Sequence, residues 1–142
     1  MRKLAHTIKA ALLVFGAALC AAVMLILLLS PVFPKGERYE LYLGASSSAR
    51  CVESDDPFLD KLRYGGVRGE SVYYTGDRAD ELFSRYHARV LLVENACGVT
   101  NYYCYSPVLK GCVRVRGYLI NLHVAVSETQ TVAGTPIIFG GF

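Results

Sequence analysis

Two patterns of apolar residues divide the chain. From Ala10 to Leu29, AALLVFGAALCAAVMLILLL, every position is apolar or small. A helix of that length, at about 1.5 Å per residue, matches the roughly 30 Å hydrocarbon core of a bilayer. Beyond Pro34 the runs become short and periodic. Tyr39–Leu43 and ESVYYTG, at residues 70–76, predict strands. Asp56-Pro57 supplies an N-cap followed by proline in the first helical position, and Gly65-Gly66 supplies a stop. These predict a short helix carrying Phe58, Leu59 and Leu62. Asp77 is placed to cap a second helix. Its apolar residues Ala79, Leu82, Phe83 and Tyr86 fall at i, i+3, i+4 and i+7, opposite Arg78, Asp80, Glu81, Ser84 and Arg85.

After residue 88 the pattern is β. Arg89–Asn95 and Thr100–Ser106 predict a hairpin turning at Cys97-Gly98, and Cys112–Arg116 with Leu119–Val126 predict another turning near Gly117. Along YLINLHVAVS, Ile120, Leu122, Val124 and Val126 share one face, and Asn121, His123 and Ser127 share the other. Thr131–Phe139 is the last predicted strand, with Ile137, Ile138 and Phe139 completing the sheet and Pro136 at an edge or bulge. The apolar ending GTPIIFGGF is expected to dock on the rest of the protein, because an undocked terminus frays. The fold class expected is α+β: an N-terminal transmembrane helix, then an antiparallel β-sheet packed against one or two helices.

Charge gives the apolar run a direction. Arg2, Lys3, His6 and Lys9 precede it, and Ser30, Pro31 and Pro34 close it. The positive-inside bias then leaves the N-terminus in the cytoplasm and exports the remainder. The expected organisation is a basic cytoplasmic segment over residues 1–9, an anchor over 10–30, a linker over 31–38 and an extracytoplasmic α+β domain over 39–142. A cleaved signal peptide shares the basic start, but its apolar core is normally shorter and ends in a small-x-small site, a pattern poorly matched around Leu28, Ser30 and Pro31. Of 15 Lys and Arg, three precede the run, and the other 12 are balanced by 12 Asp and Glu. An exported part without positive excess lacks the electrostatic footprint of a nucleic-acid binder, so no nucleic-acid partner is expected.

Candidate chemistry is sparse. Cys51, Cys97, Cys104 and Cys112 fall on the exported side, where they serve either as disulfides in one of three pairings or as small buried hydrophobes. No pair has the C-x-x-C or H-x-x-x-H spacing of a zinc site, and neither a phosphate loop nor G-x-S-x-G is present. No metal or cofactor is expected. A nucleophilic dyad of Cys104 with His123 is the enzymatic alternative, since such partners are often distant in sequence. A binding face is the other candidate. If the apolar side of the 119–126 strand faces the core, Asn121 and His123 stand on the opposite side, beside Arg114 and Arg116, with Tyr103 and Tyr105 nearby. Tyrosine, arginine and asparagine together suit partner contacts, though the same residues also make an ordinary solvated sheet face.

ENACGVTNYYCYSP, followed by INLHVAVSETQTVAGTPIIFGGF, resembles the YwmB family of spore-forming Gram-positive bacteria. The likeness covers roughly Asp77–Phe142. It rests on Tyr105-Ser106-Pro107, on the Asn121–Val126 strand and on Gly134-Thr135-Pro136-Ile137-Ile138. It implies a fold like the TATA-box-binding protein, here as one half, and an exported or membrane-tethered protein associated with sporulation without an assigned reaction. Longer members carry a further half domain ahead of this one. Shape does not carry function, so the fold name implies no DNA ligand. The expected function is a membrane-anchored, non-catalytic module engaging a protein or cell-envelope partner.

Overall fold

The structure is a computed structural model that describes residues 2–44 and 48–139. It divides into two units, Met1–Ser30 and Pro31–Phe142. The first is one helix, α1 (Arg2–Leu29), whose segment Ile8–Leu29 is long and apolar enough for a single-pass anchor or a signal sequence. The basic residues expected ahead of the anchor belong to the same helix.

The second unit is α+β. Seven strands make an antiparallel sheet: β1 (Arg38–Tyr42), β2 (Cys51–Ser54), β3 (Gly69–Thr75), β4 (Arg89–Ala96), β5 (Val99–Tyr105), β8 (Leu122–Val126) and β9 (Gln130–Thr135). Their order is β2-β1-β3-β9-β8-β5-β4. β6 (Val113–Val115) and β7 (Tyr118–Ile120) form a separate two-stranded ribbon. Both two-residue turns, Cys97-Gly98 and Arg116-Gly117, place both residues at positive φ, the twist that matches a tight hairpin. β2 was not foreseen; it pairs with β1 from Tyr39↔Ser54 to Tyr42↔Cys51.

α2 (Pro57–Tyr64) begins as expected, with the Asp56 carboxylate accepting the Leu59 N–H at 3.1 Å. α3 (Ala79–Arg85) starts one residue later than its cap predicted. Asp77 accepts the Ala79 N–H at 2.9 Å, while Thr131 on β9 accepts the Arg78 N–H through its hydroxyl. Ala79, Leu82 and Tyr86 of α3 and its C-cap meet Val72, Ala133, Val124, Leu122 and Cys104 on one sheet face. Phe33 completes this core, fully buried and edge-on to Tyr86 at 5.4 Å. Residues 31–38 are therefore not a spacer. Glu70 on β3 accepts the N–H groups of Val32 and Phe33, and Tyr86 donates its hydroxyl to the Val32 carbonyl.

The opposite sheet face is closed by the chain's own last described residues. β9 ends at Thr135, four residues short of the strand expected, and after a cis Thr135–Pro136 bond the backbone folds across the sheet. Ile138 packs with Tyr73, Ala125 and Val132. The Phe139 N–H donates to the Tyr42 hydroxyl at 3.2 Å, and the two rings meet edge-on at 5.0 Å. Ile137, Ile138 and Phe139 thus cover the sheet instead of extending it; Gly140–Phe142 lie outside the described residues. Gly134 permits the crossing, since a Cβ there would sit 2.6 Å from Cγ1 of Ile138.

Gly134→Ala is expected to cost about 1–3 kcal/mol by overpacking, and Ile138→Ala about 2–5 kcal/mol by leaving a cavity. In urea unfolding of the full chain in detergent, the double variant should cost less than the sum of the singles. Strict additivity would mean that the two positions do not touch.

Candidate binding surface

Of the six residues singled out for a binding face, Asn121 and His123 are built into the interior and Tyr103 is half-buried. Asn121 interrupts the predicted 119–126 strand and separates β7 from β8. Its side chain is 1% exposed. Its oxygen accepts the Ser106 N–H at 2.7 Å, and its amide nitrogen donates to the carbonyls of Ser106 and Leu109 at 2.8 and 2.9 Å. Ser106 in turn donates its hydroxyl to the Tyr86 carbonyl. The amide pins the loop after β5, whose buried backbone groups lie outside the strand ladder and need such a partner.

His123 lies opposite Tyr103 in the β5–β8 register and stacks on its ring, with centroids 4.4 Å apart. Its Nδ1 accepts the Ile138 N–H at 3.4 Å, so Nε2 carries the proton and donates to the Asn101 side-chain oxygen at 3.0 Å. The imidazole thus reaches the covering segment itself. Tyr103 donates to Glu94 at 3.3 Å, and Arg116 at the tip of the β6–β7 ribbon pairs with the same carboxylate at 2.8 Å. Burial raises the Tyr103 hydroxyl's pKa, and the Glu94 charge raises it further. The open sheet face expected for Asn121 and His123 is therefore filled. Alternation correctly placed His123 away from Val124, but the pattern carries no information about what lies above.

The dyad is not assembled. Cys104 faces Leu122 across the ladder, while His123 faces Tyr103, so the two side chains project to opposite sides of the sheet. Cys104 packs in the α3 core, and burial pushes its thiol up to about 12, far from the thiolate a nucleophile needs. All five cysteines are free thiols, with Cys51, Cys97 and Cys112 exposed. Among the described residues no three His, Cys, Asp or Glu side chains stand together as metal ligands. A cleft of about 100 Å³ beside α3 is lined by Lys35, Tyr74, Arg78 and Arg85, but both arginines are engaged by Glu81. It is small beside the roughly 300 Å³ that small-molecule sites start from.

What remains open is the end of the sheet. β4 is one of the two terminal strands, β2 being the other, and its outer edge meets no other strand among the described residues. Val90 and Val93 on β4, Tyr105 on β5, and Tyr118 and Leu119 on the ribbon are all exposed, as are Arg114 and Arg116. Arg114 donates to the Gly117 carbonyl, bracing the ribbon's turn. Which strand forms the edge went unread in the sequence because strand order is a long-range property; the apolar, outward Val90 and Val93 were its local trace.

Desolvation lowers the His123 pKa to about 4, against 6.5 for the free side chain. The unfolded chain therefore binds the extra proton between these values, and stability is full above pH 6.5 and falls as pH drops toward 4. The shift corresponds to roughly 3 kcal/mol. Urea midpoints measured from pH 7.5 to 4 should show this loss, and His123→Gln should flatten it. An equally steep profile in the variant would remove His123 as its source.

No family model, curated protein or solved structure matches this chain.

Proposed function

We propose that the chain is a membrane-anchored extracytoplasmic interaction module, without catalytic activity, that takes up an extended segment of a partner protein along the β4 edge. The observation that carries this reading is the accessibility of that edge when both faces of the sheet are already covered. A bare edge offers a row of backbone donors and acceptors, and flanking side chains select what pairs with it. Val93, Tyr118, Leu119 and Arg114 supply apolar and cationic contacts beside it. Anchoring by residues 10–30, with the N-terminus cytoplasmic, rests on the length of the apolar helix and the basic residues at its start. The resemblance to the YwmB family supports a half of a TATA-box-binding-like fold and a role in sporulation, on the strength of the residues that carry it. The opposed faces of Cys104 and His123 weigh against the cysteine-dependent enzyme.

The Cys97-Gly98 turn makes Ala96 and Val99 a hydrogen-bonded pair, so Val93 and Asn95 direct their backbone groups outward. Val93→Pro removes a donor the sheet does not use. A photo-crosslinking side chain at Asn95, in native membranes, is expected to give one discrete protein adduct. Val93→Pro should abolish that adduct while the cooperative melt is retained. An adduct that persists in Val93→Pro, or one equally strong from Glu128 in the β8–β9 turn, would overturn the edge assignment.

A further inference from the structure

α2 is turned inside out. Pro57, Asp60 and Lys61, at i, i+3 and i+4, point inward: Pro57 is buried, Asp60 accepts the Ser54 hydroxyl at 2.7 Å, and Lys61 pairs with Glu70. Leu59, Leu62 and Arg63, at the same spacing on the other side, point outward, with each leucine 56% exposed and Tyr64 exposed beside them. A surface helix ordinarily buries its apolar stripe and wets its polar one. Single exposed leucines are commonplace, but a helix that buries an ion pair in order to present two leucines is not.

Covalent connection says what lies next to this stripe. Val32 follows Leu29, the last residue of α1, by three positions, so at most about 11 Å of chain separates the helix end from the point where Glu70 holds Val32. The second oxygen of the same carboxylate holds Lys61 of α2. With α1 in a bilayer, this short connection limits how far Val32, and the Glu70–Lys61 pair that meets it, can lie from the end of the span. The outward face ends in Arg63 and Tyr64, residue types that seat an apolar body with its polar tip at lipid headgroups. Asp55 and Asp56, both exposed, stand at the helix's other end.

We propose that the Leu59, Leu62 and Tyr64 face of α2 sits in the interfacial layer of the bilayer that α1 crosses, with Arg63 at the level of the phosphates. The proposal rests on the anchor reading above. This docking gives the exported domain a second hold on the bilayer besides α1.

The chain contains no tryptophan, so a single introduced one reports its own surroundings. Leu19→Trp in mid-span, Leu62→Trp, Leu59→Trp and Glu128→Trp are made separately in the full chain and reconstituted into phosphatidylcholine–phosphatidylglycerol vesicles. The vesicles carry lipids brominated either near the headgroup or deep in the acyl chain. Leu59→Trp and Leu62→Trp are expected to emit at blue-shifted wavelengths and to be quenched more by shallow than by deep bromine. Leu19→Trp should show the reverse order, and Glu128→Trp, at the far end of the β3–β9 ladder from Glu70, should be quenched by neither. Water-like, unquenched emission from Leu59→Trp and Leu62→Trp would overturn the docking. Blue-shifted emission without quenching would also overturn it, by assigning the stripe to a protein partner or a second copy. Loss of quenching at Leu19→Trp would instead remove the anchor, and the docking with it.

Discussion

One buried carboxylate organises the α+β unit. Glu70 stands on β3 with its side chain 2% exposed, accepts the N–H groups of Val32 and Phe33 with one oxygen, and pairs through the other with Lys61. Burying such a charge costs several kcal/mol, and the cost is offset only where every lone pair is used. Here two backbone donors and an ammonium share it. The entering chain, a central strand and α2 are thereby fixed to a single point. Phe33, delivered by this clamp, fills the core that Tyr86 and Leu82 build from α3. Removing either charge alone is expected to cost about 3–5 kcal/mol, because the other is left buried and unpaired.

The clamp acts on one sheet face, and the crossing of Ile138 and Phe139 closes the other. A two-faced sheet needs two coverings, and this unit has little helix with which to make them. It uses an entering segment and α3 on one side and its last described residues on the other. The polar groups beneath the crossing are partnered for that reason. His123 takes the Ile138 N–H, Tyr42 takes that of Phe139, and Thr135 donates its hydroxyl to the Asn121 carbonyl. Exposed apolar surface is thus left at the β4 edge and on the outward side of α2.

Local signals were legible in the sequence. The Asp56-Pro57 start of α2, the i, i+3, i+4, i+7 stripe of α3 and the glycine turns at Gly98 and Gly117 all stand where their chemistry placed them. The errors share one cause, which is that periodicity cannot see tertiary partners. Asn121 sits in register with an alternating strand, but its side chain makes three hydrogen bonds to residues 106 and 109, and the strand breaks there into β7 and β8. The apolar run at 137–139 is as suited to a lid as to a strand. Leu59 and Leu62, carried by the predicted helix, lie on the outward side of α2. Glu70 left a usable trace, for in GESVYYT the two-residue period puts it on the side of Val72 and Tyr74, an acid among core positions. A buried acid implies a cation or clustered N–H donors nearby, and Lys61 was the nearest basic residue before it bar Arg63 and Arg68.

The central claim is that Glu70 fastens the entering chain and α2 to the sheet. Residue-resolved amide hydrogen exchange in bilayer nanodiscs tests it on the native full chain and on a Glu70→Leu, Lys61→Met variant, which removes the clamp without leaving an unpaired charge. The account expects slow exchange at Val32 and Phe33 in the native chain. In the variant these two amides and those of α2 should become fast together, with β8 and β9 still protected. Rapid exchange at Val32 and Phe33 in the native chain, or undiminished protection there in the variant, would contradict it.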